Sequence, residues 1–172
     1  MEFQKEPVIR TARLVLRAME ERDQQDMLDM LTHPQVGKTY MVPQFASRQE
    51  ALPLFQRLQG ISNDASRFFY GIQWQDRMVG MIHVVESVDQ EAELGYAIHP
   101  DYWGKGIATE ALGACMEALY RAGYALVTAG AFSHNIASMR VMEKCGMEKL
   151  SKEEIIPYRG ADHLCVYYGK HK

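Results

Sequence analysis

Residues 96–111, YAIHPDYWGKGIATEA, constrain this chain most. A strand of alternating apolar residues, Glu91–Ile98, runs into a loop containing Gly104 and Gly106. The loop opens a helix whose apolar residues Ala108, Ala111, Leu112, Cys115, Met116 and Leu119 fall at helical spacing. Such a junction gathers free backbone N–H groups and the positive end of a helix at one point, which suits a phosphate or pyrophosphate. Gly104 and Gly106 let the backbone come close to the anion, Ala108 is too small to block it, and Lys105 adds a charge. The plainer alternative is a turn that needs glycine for its backbone angles. Two other phosphate loops are excluded. GxxxxGK[ST] is absent, and GxGxxG fails at Thr109, where its third glycine would stand.

Around this junction strands and helices alternate. Strands are expected at 13–17, 67–74, 78–86, 91–98, 124–131, 147–150 and 162–169, and helices at 23–31, from Ser47, at 107–122 and at 135–145. Ser47 and Glu50 form a capping-box sequence for the second helix, and Pro53 inside it predicts a kink or an early end. Asn135 caps the last helix and Gly146 follows its end. The mixture predicts an α/β (α+β) architecture in a single domain spanning 1–172. One mixed, twisted central sheet of about seven strands would be flanked by about four helices.

Composition removes several classes of function. Lys plus Arg is 19 against 22 Asp plus Glu, a formal charge of −3, which argues against direct nucleic-acid binding. No stretch nears the roughly 18 consecutive apolar residues of a spanning helix, and MEFQKEPVIR has no apolar leader, so no membrane association is expected. Cys115, Cys145 and Cys165 are odd in number and widely spaced, which points to a reducing cytoplasm. No HxxxH or HExxH spacing exists among the six histidines, so no metal site is expected.

The loop WGKGIA at 103–108 resembles the acetyl-CoA loop of GNAT (GCN5-related) N-acetyltransferases, with Trp103 in its first position. NIASMRVMEKCGM at 135–147 is similar to that family's NxxSxxxxEKxGF segment, and RTARLVLRAM at 10–19 to the opening strand of the ribosomal-protein (RimJ/RimL-like) branch. The three resemblances span nearly the whole chain in the right order. The resemblance implies a GNAT fold and an acetyl-CoA-dependent N-acetyltransferase. Acetyl is transferred to a primary amine by direct attack in a ternary complex. The acceptor is a protein or peptide N-terminus or a small-molecule amine, and a homodimer is compatible with the family. A non-catalytic acyl-CoA-binding sensor on the same fold is the rival reading.

The resemblance also implies where the cosubstrate acetyl-CoA lies. It occupies a gap between the strands at 91–98 and 124–131, with its pantetheine against Ala97 and Ile98. Its pyrophosphate sits on the amides of Gly104, Lys105, Gly106, Ile107, Ala108 and Thr109, Trp103 at the head of that loop also binds the cosubstrate, and Asn135 contacts acetyl-CoA near the pantetheine. A protonated amine must lose a proton to attack, so a carboxylate near the gap is the natural acceptor. Glu93 stands first and Glu91 second within the acidic stretch Glu86, Asp89, Glu91, Glu93; a solvated strand carboxylate is the alternative. The family's usual acid for the departing thiolate is a tyrosine, and its position holds Met142 here. Ser138 is the nearest hydroxyl by sequence, and it takes the acid's place in this reading.

Overall fold

The computed structural model describes residues 5–172. The first four residues, part of the stretch read above as lacking a leader, lie outside that range. The first strands are β1 (Ile9–Arg10) and β2 (Leu14–Arg17), followed by helices α1 (Gln24–Leu31), α2 (Val36–Thr39) and α3 (Arg48–Asn63). Strands β3 (Phe69–Trp74), β4 (Arg77–Val88) and β5 (Glu91–Ile98) lead to helix α4 (Ile107–Arg121). Strand β6 (Leu126–Phe132), helix α5 (Ile136–Lys144) and strands β7 (Glu148–Tyr158) and β8 (Ala161–His171) complete the order. Among the described residues, all eight strands join one sheet in the order β1-β2-β3-β4-β5-β6-β8-β7.

The sheet has one strand more than expected because Ile9 and Arg10 pair with Leu16 and Val15. Two residues are too few to show a period. The extra helix, α2, is a single turn just past His33-Pro34. Strand β7 runs eight residues past the expected end at 150, pairing from Glu153↔Val166 to Tyr158↔Ala161. Its charged sequence EKLSKEE carries no apolar alternation, as suits an edge strand exposed on one side. Helix α3 continues through Pro53 as 16 residues. Gln49 and Pro53 are both exposed, so the carbonyl that the proline leaves without a donor lies on the solvent side of the helix. Ser47 accepts from Glu50 N at 3.3 Å, and the Glu50 carboxylate accepts from Ala46 N at 2.9 Å, which anchors the start of α3.

Apolar side chains fill both faces of the sheet. Leu94 and Ile98 pack with Leu112, Cys115 and Leu119 of α4, whereas Ala97 packs with Met27 of α1 and Phe55 of α3. Strands β5 and β6 are parallel, and α4 provides the crossover that a parallel pair needs. Their pairing runs only from Glu91↔Leu126 to Leu94↔Ala129. Beyond it β5 stays bonded to β4 as far as Gly80↔Ile98, and β6 stays bonded to β8 as far as Phe132↔Cys165. The sheet therefore opens into two wings at Gly95 and Gly130. A bulge in β4 between Val84 and Glu86 lies beside the opening, where it adds local twist.

Candidate functional site

The gap between the wings exposes backbone. His99 N donates to Val79 O, and Ala125 N donates to Gln90 O, each at 2.8 Å. Backbone groups alternate along a strand, so odd residues of β5 address β4 and even residues address β6. Past Leu94, the N–H and C=O of Tyr96 and Ile98 therefore face the opening. Here the structure differs from the expectation for Ala97, whose backbone is turned to β4 and whose side chain lies in the α1/α3 cluster. Ile98 keeps its place at the gap, and its carbonyl accepts the Trp103 indole Nε1 at 2.7 Å. Trp103 thus folds back over the mouth of the gap.

The loop at the end of β5 forms a cradle. Gly104 and Gly106 have φ of 71° and 77°, a region that disfavours side chains. A Cβ on Gly104 would meet nothing within 4 Å, so the space above it is open. Gly106 is the N-cap of α4 and brings no side chain to the first-turn amides of Ile107, Ala108 and Thr109. The first amide to find a backbone acceptor is Glu110, on Gly106 O at 3.0 Å. Unsatisfied donors and the positive helix end thus converge here, as an anion requires. Lys105 is exposed beside them.

The cradle also depends on a contact from a distant part of the chain. Glu110 is an acid in the first turn of the helix, where its charge would repel a bound anion. Arg13 answers it with Nε on Glu110 Oε2 at 2.7 Å and its backbone N on Oε1 at 2.8 Å. Thr11 Oγ1 adds a 2.6 Å bond to the same carboxylate. Arg13 Nη1 also donates to Lys105 O at 2.8 Å, drawing that carbonyl toward itself. These bonds hold the Glu110 carboxyl below its usual range, against the opposing effect of burial. Arg13 lies some 97 residues away in sequence, so no local motif marks the pairing.

Helix α5 closes the α4 side of the gap. Asn135 Oδ1 accepts from Ser138 N at 3.2 Å, the expected cap. Ser138 Oγ lies 2.7 Å from Tyr96 Oη, so two hydroxyls meet beside the opened strands. Burial pushes the Tyr96 phenol up to about 12, and it stays a proton donor at neutral pH. Met142 is fully buried in the core, pointing away from this role. In the sequence Tyr96 reads only as part of the alternating apolar strand Glu91–Ile98.

The opposite side of the gap carries the carboxylates. Glu93 stands at the last rung but one before the split, paired with Thr128 on β6 and Glu86 on β4. Burial raises its carboxyl above the usual range; Glu154, Glu86 and Glu91 push the same way and Lys152 opposes them. Glu91 sits two residues further from the opening and is exposed. On this face a cavity of about 510 Å³ runs between β4 and α3. His83, paired across the strands with Gly95, forms one end of it. Its Nε2 is 2.7 Å from Tyr40 Oη, and its ring stacks on Phe69 at 4.8 Å. Burial lowers the His83 imidazole below its usual range.

Among the described residues no group of three or more His, Cys, Asp or Glu could hold a metal ion, and no helix is long and apolar enough to cross a membrane. A sequence profile described as an acetyltransferase (GNAT) domain matches residues 13–148. The uncharacterized N-acetyltransferase YoaA of Bacillus subtilis (strain 168) is 26% identical over 148 residues, covering 83% of this chain and 84% of that one. Among solved structures, the ribosomal L7/L12 alpha-N-protein acetyltransferase RimL superposes with a TM-score of 0.81 at 21% identity, covering 96% of this chain and 94% of the other. The microcin C7 self-immunity acetyltransferase MccE, solved with acetyl-CoA and AMP, gives 0.80 at 14% identity and 94% coverage of both chains. With the split parallel pair and the glycine cradle at α4, the profile match places the chain in the GNAT acetyltransferase family as an N-acetyltransferase.

Proposed function

We propose that the chain transfers acetyl from acetyl-CoA to a primary amine by direct attack within the β5–β6 gap. The observation that carries this reading is the end of parallel pairing at Leu94↔Ala129, with the amide cradle at one end and the raised Glu93 carboxyl at its vertex. Acetyl-CoA supplies an activated acetyl carbonyl as a thioester. The backbone of Tyr96 and Ile98 receives the pantetheine as an added strand. The amides of residues 104–109 hold the pyrophosphate, and Asn135 flanks the pantetheine.

Glu93 takes the proton that the amine must lose as its nitrogen bonds to the carbonyl carbon. The C–S bond then breaks, and the leaving sulfur takes a proton from the hydroxyl pair of Ser138 and Tyr96. Water restores that proton. The acceptor is a protein N-terminus or a small amine; RimL, by its own description, acts on a ribosomal protein, which is consistent with the RimJ/RimL-like branch. The sensor reading rests on Met142, and the Tyr96–Ser138 pair weakens it by supplying another donor. The test is thiol release from acetyl-CoA with a panel of amines. Amine-dependent release that falls in Glu93→Gln while acetyl-CoA still binds supports transfer; binding without release from any amine supports the sensor.

A further inference from the structure

The cavity beside the gap is shaped and charged asymmetrically. Its walls are Leu54 and Leu58 from α3, Phe69 from β3 and Met81 from β4, with Tyr40 and His83 at the end toward β5. A Cβ built on Gly95 would stand 3.5 Å from His83 Nε2 and 2.8 Å from Val85 Cγ2. The imidazole therefore lies directly over the first open rung of β5, where the gap begins. Glu93 and Glu86 stand one rung further along, on β5 and β4. Arg57 and Arg67 line the rim under α3 and at the foot of β3, both exposed. Glu86 lines the cavity one strand spacing from the foot of β3, beside Arg67, whereas Arg57 stands on α3 over the apolar wall.

We infer that this cavity selects the acceptor, and that the acceptor is a monoamine carrying a bulky apolar group, aromatic or branched aliphatic. This rests on the acetyl-transfer reading above. The ammonium approaches Glu93 and the Tyr40–His83 pair, whose oxygen and nitrogen lone pairs suit an N–H donor. The apolar body fills the space under α3, which falls within the usual volume of a small-ligand pocket of about 300–1,000 Å³. A second ammonium on a polyamine would have to enter the apolar space under α3, beside Arg57, with no partner there for its charge. A sugar would place hydroxyls against Leu54, Leu58 and Met81, which offer them no partner. The apolar group belongs equally to a free arylalkylamine or to the first side chain of a peptide.

The experiment is thiol release from acetyl-CoA by the full chain, with phenethylamine, a peptide beginning with Phe, a peptide beginning with Ser, spermidine and glucosamine. Expected is a kcat/KM for phenethylamine or the Phe peptide about tenfold to a hundredfold above the rest. Whichever of the two leads identifies the source of the apolar group. Leu54→Trp fills the cavity and lowers that preference about tenfold, with acetyl-CoA affinity unchanged. Arg57→Glu is an exposed change that reads the rim even if the tryptophan variant folds poorly; it raises activity on spermidine severalfold. A wild-type preference for spermidine, glucosamine or the Ser peptide, or no response of spermidine to Arg57→Glu, overturns the selection and leaves acetyl transfer standing. Acetyl-CoA binding with no release from any amine overturns both.

Discussion

The two sides of the β5–β6 gap are built from different parts of the chain. On the α4 side, the strand end, the glycines and the helix N-terminus come from residues 96–109, and Thr11, Arg13 and the α5 residue Ser138 brace them from farther away. On the α3 side, the cavity is assembled from several separate segments of the chain. Tyr40 meets His83 across 43 residues, and Tyr158 Oη donates to Gly37 O at 2.8 Å across 121. The difference teaches how each side can vary. A local anion cradle tolerates little change, because each amide position is set by its neighbours. A pocket assembled from distant segments can change its lining while the sheet beneath it persists.

The largest effect expected is at the vertex shared by both sides. Glu93→Gln lowers kcat about a hundredfold to a thousandfold with acetyl-CoA affinity retained, measured by thiol release and by titration of the cosubstrate. The raised carboxyl works only when ionised. The rate of the wild type therefore falls as pH drops through a value above the ordinary 4.5 of a glutamate. The amine's own ionisation adds a second rise at higher pH, and the Gln variant keeps that one alone. A variant that retains full rate moves proton acceptance to another group and breaks the symmetry of the comparison at its centre.

The next effects belong to the α4 side. Gly106→Val forces a side chain into φ of 77° at a cost of about 1–3 kcal/mol, and weakens acetyl-CoA binding about tenfold. Tyr96→Phe and Ser138→Ala each lower kcat about tenfold with KM little changed, because both act on the departing sulfur. Arg13→Met leaves the Glu110 charge without its counter-ion in the first turn of α4, bonded only to Thr11 and the backbone of residue 13, and raises KM for acetyl-CoA severalfold, about 1 kcal/mol. Arg13→Lys restores part of it, and kcat stays near wild type in both. Smallest is a change on the α3 side. Tyr158→Phe removes bonds to residues 37–42 and lowers unfolding stability by about 1 kcal/mol, read in a denaturant titration.

The same contrast decides what sequence could reveal. Gly104, Gly106 and Asn135 are legible because each acts through its own backbone or its nearest turn. The order of the long strands and helices follows from periodicity for the same reason. Ala97 and Tyr96 illustrate the limit. Alternation tells which residues share a face, but which strand edge a residue addresses depends on register with β4, set by the distant pairs Gly80↔Ile98 and Met81↔Ala97. The edge strand β7 hides because its charged residues have no apolar partner to alternate with. Arg13, Tyr40 and His83 acquire their roles only through contacts made across the fold.

The most direct test of the gap is backbone amide exchange with and without acetyl-CoA. The account predicts added protection at Tyr96 and Ile98 and across residues 104–109, with Ala97 already protected in the free chain by its bond to β4. Protection at Ala97 gained only on binding, or protection confined to the α3 cavity, would contradict it.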